Sequence, residues 1–96
     1  MEKIDYDETK EIVIWLDVIK AVDEVIHILD FILVGDEKGV FVEWDGESAK
    51  DFSIKSWHYG FTKKRLKEIC KRWNEKMPLG YKATPIGNFE IGFKFY

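Results

Sequence analysis

Residues 12–33 read Ile12-Val-Ile-Trp-Leu-Asp-Val-Ile-Lys-Ala-Val-Asp-Glu-Val-Ile-His-Ile-Leu-Asp-Phe-Ile-Leu33. Within this stretch Ile12, Trp15, Ile19, Val22, Ile26, Leu29 and Leu33 recur at alternating steps of three and four residues. A second apolar row, Ile14, Val18, Ala21, Val25 and Ile28, runs beside the first, while Asp17, Lys20, Asp23, Glu24, His27 and Asp30 take the remaining face. That period is the α-helical one. It predicts a helix over residues 7–30, about 36 Å long at 1.5 Å per residue. Asp5, Asp7 and Thr9 are candidate N-caps. The β-branched run from Ile12 to Leu16 admits one alternative, a short strand feeding a helix that starts near Asp17.

Beyond this stretch Gly and Pro punctuate the chain, and strand patterns follow. Phe31 to Val34, Val40 to Trp44 and Phe52 to Tyr59 read as strands. A Gly35-Asp-Glu-Lys-Gly39 turn separates the first two, and a turn beginning at Asp45-Gly46 precedes the third. Thr62 is placed to cap a second helix whose apolar stripe is Leu66, Ile69, Cys70, Trp73 and Met77, with Pro78 and Gly80 ending it. Tyr81 to Thr84, a Pro85-Ile-Gly-Asn88 turn and Phe89 to Tyr96 then form a closing hairpin. In it Phe89, Ile91, Phe93 and Phe95 share one face. The order α-β-β-β-α-β-β predicts one α+β domain over residues 1–96: an antiparallel sheet of about five strands with both helices on one face.

Composition narrows the class. Apolar residues make up 46% and charged residues 34% of the 96, a globular balance. The lone Cys70 forbids an intramolecular disulfide and suits a reducing compartment. Met1-Glu-Lys-Ile-Asp opens without a basic, then apolar, leader. No apolar run approaches the ~20 residues of a membrane span, and a cytoplasmic protein is expected. The net charge of −3 conceals a polarity: residues 1–51 carry 15 acidic and 5 basic side chains, residues 52–96 carry 3 and 10. Such halves either attract each other, within the fold or across a dimer, or face an anionic partner.

Catalytic and metal motifs are weak throughout. Asp23, His27 and Asp30 share a helical face at i, i+4 and i+7, but two carboxylates and one imidazole fit a hydrated surface better than a soft-ligand set. His58, between Trp57 and Tyr59, has no nucleophile placed beside it. Cys70 falls on an apolar stripe, and Gly35-x-x-x-Gly39 lacks the Lys-Ser/Thr of a phosphate loop. No cofactor, metal or enzymatic activity is expected. The second helix carries Lys63, Lys64, Arg65, Lys67, Lys71, Arg72 and Lys76 against only Glu68 and Glu75. Cations in its first turn oppose the helix dipole at a few tenths of a kcal/mol each. Lys63, Lys64, Lys67, Lys71 and Arg72 are therefore candidates for contact with an anionic partner, with salt bridges to the acidic half as the competing explanation.

Two resemblances bear on these residues. Gly60-Phe-Thr-Lys-Lys-Arg-Leu-Lys67 resembles the Gly-x-Ser-Lys-Lys-x-Ala-Lys that opens the second helix of double-stranded RNA-binding domains. That resemblance implies phosphate contacts from Lys63, Lys64 and Lys67, although the hairpin Gly35-Asp36-Glu37-Lys38 is acidic where the family carries Gly-Pro-x-His. Leu66 to Asn74, Lys76-Met-Pro-Leu-Gly80 and Gly87-Asn-Phe-Glu-Ile-Gly-Phe-Lys-Phe95 together are similar to the C-terminal half of YbjN-like proteins. Their type III secretion chaperone-like fold has the order α-β-β-β-α-β-β-α, and the seven elements expected up to Tyr96 correspond to its first seven. This second resemblance implies a dimeric protein-binding module. The sequence thus points first to a non-catalytic protein-interaction domain, chaperone-like or inhibitor-like, that forms a homodimer and binds a protein partner. Nucleic-acid binding through the basic helix is the alternative. Two apolar rows cover more of the first helix than one sheet face can bury, so Ile12, Trp15, Ile19 and Val22 are the expected dimer interface.

Overall fold

The computed structural model describes residues 6–56 and 61–96, and within the first helix its side chains from Trp15 onward. Helix α1 spans Tyr6–Leu29, so Ile12 to Leu16 continues the helix instead of opening a strand. The candidate cap Asp5 and the side chains of Asp7, Thr9, Ile12 and Ile14 lie outside the described residues. Burial explains why helical period prevails over β-branched preference. Val18, Ala21, Val22, Val25 and Leu29 are all buried along one side of α1. They come from both apolar rows, because the core meets the boundary between the rows.

Phe31 to Val34 is not a strand, which reduces the expected five strands to four. The main chain keeps turning after Leu29: the Phe31 amide donates to the Ile28 carbonyl (3.0 Å), and the Ile32 and Leu33 amides donate to Leu29 (2.8 and 3.1 Å). Leu33, the last member of the helical row, completes that spacing and is buried in the core. Four apolar residues between a helix end and the 3-10 turn Gly35–Glu37 follow the helical period, not the alternating one. Only Leu33 is fully inside, with Phe31 and Val34 exposed.

The sheet contains β1 (Phe41–Ser48), β2 (Asp51–Ser56), β3 (Tyr81–Ile86) and β4 (Glu90–Phe95), with helix α2 (Lys63–Lys76) between β2 and β3. Its order is β1-β2-β4-β3 and every neighbouring pair is antiparallel. The described elements therefore form an α-β-β unit twice, with the second strand of each unit side by side at the sheet centre. No repeat in the residues marks this. Asp45-Gly46 lies inside β1, and the reversal comes at Ala49-Lys50. Gly46 faces Phe52 so closely that a Cβ there would stand 2.5 Å from the Phe52 Cβ. Glycine at this position answers a packing demand, not a turn. Trp57, His58, Tyr59 and Gly60 lie outside the described residues.

Both helices pack on one face of the sheet. Phe52 and Ile54 pair across the centre with Phe93 and Ile91, and Tyr81 and Ala83 extend the same inward set. Phe93 stacks on Phe52 (5.8 Å between centroids) and meets the edge of Trp73 from α2 at 4.9 Å. Such pairs add about 0.5–1.5 kcal/mol beyond area burial. Trp73 is fully buried, and its indole N–H donates to the Tyr81 carbonyl at 2.7 Å. Helix α2 starts at Thr62, whose hydroxyl accepts from the Arg65 amide (3.1 Å). It ends at Met77 in the left-handed region (φ 41°), ahead of Pro78. Leu66, Ile69, Cys70 and Trp73 form its buried stripe, while Met77, expected to belong to it, is 38% exposed at the helix end.

The edge strands are protected. β1 carries register shifts between Phe41 and Glu43 and between Gly46 and Ser48, and such bulges twist an edge away from foreign strands. On β3, Pro85 lacks an amide hydrogen. The Asn74 carboxamide occupies the main chain at Ala83: its Nδ2 donates to the Ala83 carbonyl (2.8 Å) and its Oδ1 accepts from the Ala83 amide (2.7 Å). A helix side chain thus stands in for a neighbouring strand.

Candidate functional site

The fold converts the charge asymmetry of the sequence into two opposite flanks. Exposed Glu43, Asp45 and Glu47 on the edge strand β1 make one flank acidic, and α1 adds exposed Asp17, Asp23 and Glu24 around its outer surface. Exposed Lys63, Lys64, Lys67, Lys71, Arg72 and Lys76 on α2, with Lys82 on β3, make the other basic.

On the acidic flank an apolar surface remains uncovered. Trp15 is 59%, Leu16 61% and Ile19 37% exposed. In helical projection they occupy the sector next to the buried row, on the side of β1. Trp15 meets Trp44 of β1 edge to face, with centroids 5.0 Å apart, and exposed Val42 extends the patch along the same strand. The patch measures on the order of a few hundred Å², the scale at which a monomer's largest apolar patch is often functional. Of the four residues expected at a dimer interface, Trp15 and Ile19 lie on it. Val22 does not: it is 3% exposed within the core of its own chain. The Ile12 side chain lies outside the described residues. Leu16, Val42 and Trp44 were missed as partners of this surface. Leu16 belongs to neither apolar row and projects at the margin of the polar face beside Ile19, and the other two are brought to α1 only by the tertiary fold.

On the basic flank all five candidate cations, Lys63, Lys64, Lys67, Lys71 and Arg72, are exposed, and none forms an ion pair with a described residue. Arg65 behaves differently. Its Nε and one terminal nitrogen both reach Glu37 at 2.8 Å, and Glu68 lies 3.6 Å from the other nitrogen. Hydrogen bonding to Glu37 holds the guanidinium above its usual pKa against partial burial. Glu37 Oε1 also accepts from the Val34 amide (3.0 Å), so this pair ties the α1–β1 connection to the start of α2. Attraction between the acidic and basic halves is thereby realised at Arg65, and the α2 lysines make no ion pair among the described residues. Lys63, Lys67 and Lys71 stand one above another at i, i+4 and i+8, about 6 Å apart along the axis.

The residues weighed for chemistry are placed apart or occupied. Asp23 is exposed, Asp30 Oδ1 accepts from the Gly39 amide (3.4 Å), and His27 meets the Phe31 ring edge to face at 5.8 Å. Among the described residues no three His, Cys, Asp or Glu side chains converge on a metal-sized site. Burial pushes the Cys70 thiol up to about 12, with 3% of the residue exposed, the opposite of the depressed pKa that a reactive thiol requires. No helix among the described residues is long and apolar enough to cross a membrane. No family model, curated protein or solved structure matches the chain.

Proposed function

We propose that this protein is a non-catalytic protein-interaction module that works as a homodimer through the α1–β1 flank. The observation that carries the reading is the exposed apolar sector of α1. Trp15, Leu16 and Ile19 lie beside, not within, a core that Val18, Val22 and Val25 already complete. Apart from the edge contact of Trp15 with Trp44, they remain in solvent. A two-fold pairing of identical patches is the commonest way to bury such a surface. Aromatic residues are enriched where binding energy concentrates, and the Trp15–Trp44 pair supplies such a centre. The reading keeps the dimeric protein-binding role implied by the YbjN-like resemblance, whether chaperone-like or inhibitor-like, in a reducing, cytoplasmic setting. The test replaces Trp15 and Ile19 with Asp together. The expected product melts like wild type but no longer associates; retained association would remove the α1–β1 flank from the interface.

A second reading rests on the unpaired column of Lys63, Lys67 and Lys71 with Lys64 and Arg72 beside it. Such a column suits a phosphate backbone, whose neutralisation releases counterions and makes affinity fall steeply with salt. Lys63→Glu, Lys64→Glu and Lys67→Glu together should abolish any duplex RNA or DNA binding seen at ~50 mM salt. Wild-type protein that shifts neither duplex would end this reading.

A further inference from the structure

We infer that the cleft between the end of α1 and the C-terminal half of α2 is a docking site for an acidic protein segment carrying a bulky apolar anchor. The cleft, about 530 Å³, is lined by Ile28, Phe31, Ile32, Arg72, Glu75, Lys76 and Pro78. That volume falls in the range of pockets that take one small ligand or a few side chains. Its floor is aliphatic: Ile28 and Ile32 are half-buried and rest on the core. Its wall is Phe31, 82% exposed and the most exposed large apolar side chain among the described residues. Among the described residues the only ring against Phe31 is that of His27, and Phe31 stays 82% exposed beside the cleft. Phe31 therefore offers a partner side chain a large apolar contact that the fold itself leaves unused.

The rim specifies the partner's charge. Arg72 and Lys76, one turn apart on α2, stand at the cleft without an ion pair among the described residues. Their aliphatic stems can pack on an inserted side chain while their heads meet carboxylates beside it. Glu75 lines the same cleft and repels a continuous polyanion, so anionic groups are accepted at discrete positions. An acidic peptide with an aromatic or branched aliphatic residue between carboxylates satisfies the floor, the wall and both cations. A phosphate backbone would leave the floor and Phe31 uncovered. The site lies on a different part of the molecule from the Trp15 patch, so failure of the dimer leaves it standing.

The experiment selects a random displayed-peptide library on the immobilised full chain, with counter-selection on Phe31→Ser. Enriched peptides are expected to carry Leu, Ile, Phe or Trp flanked by Asp or Glu. Synthetic copies should bind Phe31→Ser and Arg72→Glu about tenfold or more weakly than wild type. Both positions are exposed, so both variants should keep the wild-type melting temperature; Lys76→Glu provides an independent charge variant. No enrichment, enrichment of basic or uncharged peptides, or equal binding to Phe31→Ser would overturn the inference. So would binding of a single-stranded RNA probe that Arg72→Glu abolishes and Phe31→Ser leaves unchanged, which would give the rim to nucleic acid. Loss of self-association in Phe31→Ser would give the cleft to a second copy of the chain and overturn it likewise.

Discussion

Asn74 is the side chain whose removal should cost most for its size. It makes two hydrogen bonds to one residue of an edge strand, donating to the Ala83 carbonyl at 2.8 Å and accepting from the Ala83 amide at 2.7 Å. A net hydrogen bond contributes roughly 1 kcal/mol, and a buried group left unpaired costs more. Ala83 itself is buried, but its strand is at the sheet edge, where water can re-enter. Asn74→Ala should therefore lose about 2 kcal/mol. For a domain of this length that corresponds to a fall in Tm of about 8–16 °C. Urea titration followed by tryptophan fluorescence, with Trp73 one residue away, measures it, and the urea dependence should keep its slope. Asn74→Asp sharpens the test, because a carboxylate can accept from the Ala83 amide but cannot donate to the Ala83 carbonyl. Folding then favours the protonated carboxyl, which raises its folded pKa above the ordinary value of about 3.9. The deficit should be least below that ordinary value and grow as pH rises through the folded pKa. A loss under about 0.5 kcal/mol for Asn74→Ala, or a deficit in the Asp variant that shrinks as pH rises, would refute the clamp.

Four further outcomes follow from the packing and the pKa directions. Gly46→Val places a side chain where a Cβ alone would be 2.5 Å from the Phe52 Cβ, so it should destabilise by about 1–3 kcal/mol or more in thermal melts; an unchanged Tm contradicts the close approach. Cys70 should label slowly in the native state and rapidly in denaturant. Burial raises the pKa of Cys70 and, with help from Glu24, that of Tyr81, so stability should be full below the ordinary thiol pKa and decline as pH climbs from about 9 toward 12. An alkaline denaturation profile flat over that range would contradict both. Glu37→Gln weakens the bidentate contact to Arg65 and should cost about 1 kcal/mol, less at high salt, and a variant as stable as wild type would show that this pair ties nothing together.

The helices were legible in the sequence because their signals are local. Alternating steps of three and four from Ile12 to Leu33, Thr62 at a cap and Pro78 after the last turn each act within a few residues. The inward set Ile91 and Phe93 was legible for the same reason. Phe31 to Val34 misled because a four-residue apolar run carries no period of its own, and only the burial of Leu33 shows that the helical spacing continues. Asp45-Gly46 looked like a turn because the same dipeptide serves two purposes. Its reason for containing glycine, the Phe52 side chain, lies on another strand. Among the residues expected at a dimer interface, Val22 instead turns inward; two apolar rows on one helix do not say which boundary the sheet will meet. The lysines of α2 were visible as a group, whereas the exemption of Arg65 depended on Glu37, 28 residues away.

The central claim is that the apolar sector of α1 is covered by a second copy of the chain. Molar mass from light scattering, taken across a dilution series at micromolar concentrations, tests it most directly. The account predicts a mass twice the 11.4 kDa of the chain. That mass should persist at about 1 M salt, where charge contacts are screened to a few ångströms and burial of Trp15, Leu16 and Ile19 is not. A mass of 11.4 kDa throughout the series would contradict it.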